Sequence, residues 1–356
     1  MTSRTSDSPP ALAPRALRPE DFRGRAVLVT GGAGFIGSHL VDALLERGAR
    51  VRVLDNLATG RRENLSDASR STDFELLEGD LRDAETCRRA CAGVSWVFHQ
   101  AALGSVPRSM KDPATTVAVN VSGTANVFAA ARDAGAARVV YASSSSVYGD
   151  SARLPKREGE EGSPVSPYAL SKKMDEQLAG IFGSCFGMEL IGLRYFNVYG
   201  PRQDPDGPYA AVIPLFFRAA LRGEPALIHG DGTQTRDFTF VGDAVAANLL
   251  AATAPAEACG RAYNVAAGRR TSLLDLSRAI REIAGAAPAP RHGPPRPGDV
   301  PHSLAELSDA GRLLGYRSSV LLEEGLRRSL SHYRGLAATE AETERPVAAV
   351  SREDAR

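Results

Sequence analysis

AVLVTGGAGFIG, residues 26–37, passes from a short apolar run through a glycine-rich turn into a helix. Ala26 to Thr30 reads as a buried strand. Gly31, Gly34 and Gly37 then recur every third residue. Glycines here permit a tight turn and close backbone approach, and the helix opening at Phe35 and Ile36 offers free N–H groups to a pyrophosphate. Apolar residues at Phe35, Ile36, Leu40, Val41, Leu44 and Leu45 continue the helix to Gly48. Val51, Val53 and Leu54 form a second strand that ends at Asp55, with Asn56 beside it. A carboxylate at that place accepts hydrogen bonds from a ribose diol and repels a 2′-phosphate, so the pattern predicts NAD rather than NADP. Arg61 and Arg62, close by, read as loop decoration.

Further strands are predicted at Phe74–Leu77, Trp96–His99, Arg138–Ala142 and Leu190–Leu193, separated by helical stretches that include Pro113–Ala134 and Pro167–Phe186. Such alternation implies βαβ units: an α/β, Rossmann-type, doubly wound parallel sheet. After about Tyr195 the elements shorten (Val212–Arg222, Leu227–His229, Thr239–Leu250, Ser272–Ile283), which predicts a smaller mixed α/β substrate-binding lobe. The expected organisation is a disordered arm at 1–24, a cofactor domain at 25–195 with a return near 235–268, a lobe at 196–335, and a disordered tail at 336–356.

Composition closes off other classes. Lys+Arg number 43 against 42 Asp+Glu in 356 residues, a net charge of +1, which argues against nucleic-acid or membrane-surface binding as the main task. Cys87, Cys91, Cys185 and Cys259 make neither a disulfide framework nor a Cys-x-x-Cys metal site; the first two, at i and i+4, read as small packing residues on one helix face. With no long apolar run and no signal-peptide core, a cytoplasmic protein is expected.

Chemistry concentrates around Tyr168 and Lys172, which share one face of a helix at i and i+4. Ser143 to Ser146 end the fifth predicted strand, and ligands bind at strand carboxyl ends in such sheets. A Lys ammonium and a cationic nicotinamide both favour a phenolate, which makes Tyr168 a candidate base bridged to substrate by one of the serines. Asp80 and Leu81, at the end of the third strand, are candidates for the adenine edge or an ordinary turn. Ala101 and Ala102 would let the chain pass close to a cofactor. Asn120 reads equally as a cofactor contact or a buried packing amide.

G-x-x-G-x-x-G, a serine cluster before Val147-Tyr148-Gly149, and Y-x-x-x-K together resemble the extended short-chain dehydrogenase/reductase family, specifically its nucleotide-sugar epimerases, over about residues 25–335. The resemblance implies Ser144 as the catalytic serine, Lys172 on the nicotinamide ribose, and Tyr195 among the cofactor contacts. Sugar dehydratases and decarboxylases of the family carry acids at the places of Ser145 and Ser146; serines there favour simple 4-epimerisation. The runs at 103–109, 194–205 and 209–214 look like bacterial UDP-N-acetylglucosamine 4-epimerases of surface-polysaccharide supply. By that resemblance Arg236 and Arg296 hold a diphosphate, Asp299 the uridine ribose, and Asn197 a phosphate or sugar oxygen. Ser105, Ser145 and Gln203 supply polar contacts to the sugar. Ser303, a small gate that admits an N-acetyl group, reads otherwise as a turn or cap residue. A homodimer is implied as well. UDP-glucuronate and UDP-glucose remain alternative substrates, and a non-catalytic NAD-binding regulator is the alternative class.

Overall fold

In the computed structural model, residues 21–206, 210–285, 287–295 and 300–343 are described. Strands β1 (Ala26–Thr30), β2 (Arg50–Asp55), β3 (Phe74–Glu78), β4 (Trp96–His99), β5 (Arg138–Ser144) and β6 (Leu190–Tyr195) join a seventh, Arg261–Val265, in one sheet. The order is seventh-β6-β5-β4-β1-β2-β3, every pair parallel. The chain starts at the centre, winds outward to β3, then returns past β1 to the other side; the order reverses between β1 and β4. That reversal opens a crevice at the strand carboxyl ends.

Helices among the described residues are α1 (Phe35–Glu46), α2 (Ala84–Cys91), α3 (Val106–Lys111), α4 (Pro113–Val117), α5 (Gly123–Asp133), α6 (Pro167–Phe186), α7 (Val212–Leu221), α8 (Val241–Thr253), α9 (Leu273–Ala284) and α10 (Leu322–Thr343). Side-chain alternation along β1 divides the core. Val27 and Val29 face Leu40, Val41 and Leu44 of α1 and Leu249 of α8. Leu28 faces the opposite way, toward Cys87, Cys91, Val127, Phe128 and Ala179 of α2, α5 and α6. Both faces are covered by helices, which is why the strands read as continuous apolar runs. Cys87 and Cys91 are fully buried, and burial pushes both thiols up to about 12.

The chain divides into two compact units. The first comprises residues through Val198, Arg236–Arg270 and His302–Leu321. Within it the last segment is tied in by Tyr316 Oη donating to Ala266 O at 2.9 Å and by Asp243, which accepts from Ser318, Ser319 and Val320. The second comprises Tyr199–Thr235, Thr271–Pro301 and the chain from Leu322. It packs α7, α9 and α10 together, with Phe217 stacked on Tyr333 at 4.7 Å between centroids, and pairs Leu227–His229 with Arg291–Gly293 in parallel.

Three boundaries differ from those expected. Residues 302–321, expected in the lobe at 196–335, pack into the first unit, because the apolar faces of Ala305, Leu314 and Tyr316 bury there. The tail expected from 336 is helical to Thr343; Leu336, Ala337, Ala338, Glu340 and Ala341 are all good helix formers. The single helix expected over Pro113–Ala134 is interrupted by a π-helical stretch at Ala118–Ser122. Asn120, buried, lies within that stretch.

Candidate active site

The glycine turn is built by steric necessity. Gly31 has φ +67°, and a Cβ on it would lie 2.7 Å from the backbone of Ala101, the residue after β4 plus one. A Cβ on Gly37 would lie 2.1 Å from Gly31 O. Gly34 caps α1 with no side-chain hydrogen bond, so the first-turn N–H groups of Phe35, Ile36 and Gly37 lack capping acceptors. The result is a bare, positively polarised cradle at the topological switch point, which fits a dinucleotide pyrophosphate.

Asp55 closes the other side. Its carboxylate, 8% exposed, accepts from Ala33 N at 2.9 Å and Leu57 N at 2.8 Å, pinning the glycine turn to the end of β2. Arg61 N and Asn64 Nδ2 both donate to Ala33 O, and Arg62 pairs with Glu78, so this basic stretch is occupied locally. Deleting the Asp55 carboxyl leaves a buried N–H without an acceptor, at a cost of about 1–3 kcal/mol. Asp55→Ala is therefore expected to lower unfolding free energy by about that much. Urea denaturation of the cofactor-free protein measures it, and an unchanged midpoint would mean that the turn does not depend on this bond.

Asn56 donates to Asp80 at 3.0 Å, and Arg82 chelates the same carboxylate through its backbone and side chain. The Arg82 hydrogen bonds hold the Asp80 carboxyl well below its usual range. Leu81 is buried beneath it, against the α2–α5 side of the core.

Lys172 and Tyr168 stand on α6, whose start is fixed by Ser166 (Oγ accepts from Ala169 N, 3.1 Å) and by Pro167 in the first turn. Tyr168 is half-buried, and among the described residues its hydroxyl has no protein partner. Lys172 is 2% exposed; Nζ donates to Ala142 O of β5 at 3.0 Å and to Asp175 Oδ2 at 3.1 Å. The first of these bonds fastens α6 to the end of β5, where Ser144 and Ser145 are half-buried. Ser144 Oγ accepts from Ser146 N at 3.2 Å, and Ser143 instead donates to Glu176 at 2.6 Å.

Other candidates have local duties. Asn120 is fully buried; it accepts from Leu103 N at 2.8 Å and donates to Ser171 Oγ at 3.0 Å, so its amide fastens the loop after β4 to α6. Tyr195 donates to Gln100 at 2.9 Å and accepts from Asn248 of α8 at 2.7 Å. Ser105 caps α3 by accepting from Arg108 N. Asn197, exposed at φ +36°, donates to Asp237 O at 3.0 Å. Gln203 lies in the second unit, while Arg236 and Ser303 are in the first. Arg296 and Asp299 lie outside the described residues.

Asp237, unremarked in the sequence, organises this last group. It is fully buried and accepts from Ala267 N, Gly268 N and Ala305 N at 3.0–3.1 Å. It thereby holds Arg236, its chain neighbour, close to the segment of Ser303. Burial raises its carboxyl to about 6 against the pull of those N–H groups. His99, at the end of β4, was likewise missed. It is buried between Thr30 (2.7 Å) and Thr124 (2.9 Å), and burial, aided by the Lys172 charge, pushes the imidazole down to about 3. A histidine at a parallel strand's carboxyl end was the one signal available for it.

A family model described as NAD dependent epimerase/dehydratase family matches residues 27–266. The chain belongs to that family. Its cofactor is NAD, and it is an enzyme with the extended short-chain dehydrogenase/reductase fold. A UDP-glucose 4-epimerase of Mycolicibacterium smegmatis is 41% identical over 309 residues, covering 86% of this chain and 98% of that protein. The solved structure of a UDP-N-acetylglucosamine 4-epimerase from Methanobrevibacter ruminantium superposes with TM-score 0.83 at 37% identity, over 88% of this chain and 99% of that one. A Thermus thermophilus UDP-glucose 4-epimerase solved with NAD gives TM-score 0.77 at 39% identity, over 87% and 99%. The family is thus carried by nearly the whole length of each relative. Among the described residues no helix is long and apolar enough to cross a membrane.

Proposed function

We propose that the chain inverts C4 of a UDP-hexose, with UDP-N-acetylglucosamine as its preferred substrate. The observation that carries the epimerase reading is the fastening of Lys172, and with it Tyr168 one turn earlier, to the carboxyl end of β5 beside Ser144. NAD, when bound, supplies the hydride acceptor and donor. Gly31, Gly34 and Gly37 would receive its pyrophosphate at the start of α1, and Asp55 would accept from the adenosine ribose. Tyr168 takes the proton of the sugar 4-hydroxyl, with Ser144 hydrogen-bonded between them, and Lys172 keeps a positive charge beside the phenolate. Arg236 and Arg296 hold the diphosphate and Asp299 the uridine ribose, so the 4-keto sugar can rotate while the nucleotide stays fixed. Tyr168 would return the proton to O4 once the sugar presents its opposite face. No acid stands at Ser145 or Ser146 to eliminate water, which favours epimerisation over dehydration.

The substrate rests on Ser303. Its side chain is small and half-buried, in a segment held by Lys156 N donating to Leu304 O at 2.7 Å and by Ala305 N donating to Asp237. A small residue there leaves room for an acetamido group, and Ser105, Ser145 and Gln203 supply polar contacts. UDP-glucose is the second reading, favoured by the name of the mycobacterial relative. A small gate admits the larger sugar without rejecting the smaller one strongly, since a filled or unfilled apolar volume discriminates only about 10–200-fold. Proton NMR of the enzyme with each UDP-sugar separately is expected to show a new galacto-type anomeric signal, fastest from the acetylated substrate. Conversion of UDP-glucose alone, or of the uronate alone, would overturn the assignment of Ser303.

The enzyme is read as a cytoplasmic homodimer that supplies polysaccharide synthesis. Val117 of α4 and Leu170 and Ile181 of α6 are exposed apolar side chains, which supports pairing of those helices between copies.

A further inference from the structure

Beneath the end of β5 lies an ion pair that the chemistry above does not require. Asp175 is 1% exposed and Lys172, its partner, 2%. A Lys ammonium has three N–H donors in tetrahedral directions. Two are spent inside the protein, one on Ala142 O at 3.0 Å and one on Asp175 Oδ2 at 3.1 Å, so the direction of the third is fixed. With Ala142 O alone, Nζ would swing about a single bond. The second oxygen of Asp175, Oδ1, is buried without a hydrogen bond of good geometry, the Thr124 hydroxyl being the nearby donor. A buried carboxylate that satisfies only one oxygen is a costly arrangement, and an apolar residue would fill the place more cheaply.

We propose that Asp175 is a positioning residue for the reaction: its negative charge anchors Nζ of Lys172, so that the third N–H points to the cofactor ribose and the site keeps a cation beside Tyr168. This rests on the reading of Lys172 given above and adds a residue that acts only through it. Among the described residues, Lys172 is the one cation paired with the carboxyl. On α6 itself the other neighbour is Glu176, which is taken up by Arg194 of β6. On β5 stands Tyr141, kept neutral by burial; on β4, the neutral His99; on α5, the Thr124 hydroxyl. Burial raises the Asp175 carboxyl to about 6, against the pull of Lys172. Above that pH the residue is an anion and anchors Lys172; below it the residue is neutral and the anchor weakens.

The test compares wild type, Asp175→Asn, Lys172→Met and the double variant. Two quantities are read: NADH affinity of the cofactor-free protein by fluorescence, and kcat. Asparagine keeps the size and an acceptor but not the charge. At about pH 8, Asp175→Asn is expected to weaken NADH binding and lower kcat about tenfold each, with the UDP-sugar KM nearly unchanged. Near pH ~5 wild type and Asp175→Asn converge to within about twofold, because neither then carries a charge at 175. The double variant matches Lys172→Met. A merely structural Asp175 gives a ratio that does not move with pH, and that result overturns the proposal. If Lys172→Met itself leaves NADH affinity and turnover intact, the reading of Lys172 fails instead. Should Asp175→Asn not fold, NADH affinity of the wild type alone decides. It must weaken as pH falls through about 6, and that step must be absent in Lys172→Met.

Discussion

Replacing Tyr168 by Phe is expected to lower kcat at least about 10³-fold, near the upper end of what a positioned acid–base group contributes. The hydroxyl that disappears has no partner among the described residues, so nothing in the fold depends on it. The helix is started by Ser166 and Pro167, and the aromatic ring remains. Thermal unfolding and the KM for the UDP-sugar should therefore stay close to wild type while turnover collapses. That split separates a base from a binding residue, because lost uniform binding raises KM and spares kcat. Retention of more than about a tenth of the wild-type kcat would remove Tyr168 from the mechanism, since even the weakest general-base contributions exceed that.

The second large effect belongs to Gly37. An alanine there places a methyl group 2.1 Å from Gly31 O, 2.8 Å from Gly31 C and 2.9 Å from the Cα of Gly32. All three are backbone atoms, so no rotamer change relieves the overlap; the turn or the first turn of α1 must move. Gly31 cannot yield easily, because its own Cα faces the backbone of Ala101. Overpacking of this kind costs about 1–3 kcal/mol, and here the displaced atoms are the ones that form the cradle. Gly37→Ala is expected to lower the melting temperature by several degrees and NADH affinity at least about 100-fold, since misplaced N–H groups lose charge-assisted bonds outright. Gly335 in α10 is the control: nothing lies within 4 Å of its added Cβ, so Gly335→Ala should leave affinity unchanged and stabilise slightly. Equal NADH affinity in Gly37→Ala and wild type would show that the cradle is elsewhere.

Local signals made the cofactor side of the molecule readable. The glycine turn, Asp55, and the pair Tyr168 and Lys172 each declare themselves within a dozen residues, because the chemistry needs them at fixed offsets on one strand-to-helix turn or one helix face. The unread residues are those whose meaning comes from partners far along the chain. Asp237 is decided by Ala267, Gly268 and Ala305, and His99 by Thr30 and Thr124. A buried polar side chain looks like any surface one until the groups that satisfy it are known. The same reason hid the seventh strand, Arg261–Val265, whose start is exposed and whose pairing partner, β6, lies some seventy residues earlier. The second unit offered short elements with weak periodicity, and Arg296 and Asp299, assigned there by resemblance, fall outside the described residues.

The first unit is discontinuous: it needs Arg236–Arg270 for the seventh strand and α8, and His302–Leu321 to complete the hydrogen bonds of Asp237 and Asp243. A ribosome delivers these segments in order. The growing chain can pair β1 to β6 early, but the buried carboxylate of Asp237 waits for its last donor, Ala305 N, and that of Asp243 for its donors, Ser318 to Val320. Completion of the cofactor fold thus waits for residues 302–321, and a transcript truncated after residue 270 would leave Asp243 without its hydroxyl and backbone donors and Asp237 without one of its own, rather than yield an independent nucleotide-binding domain.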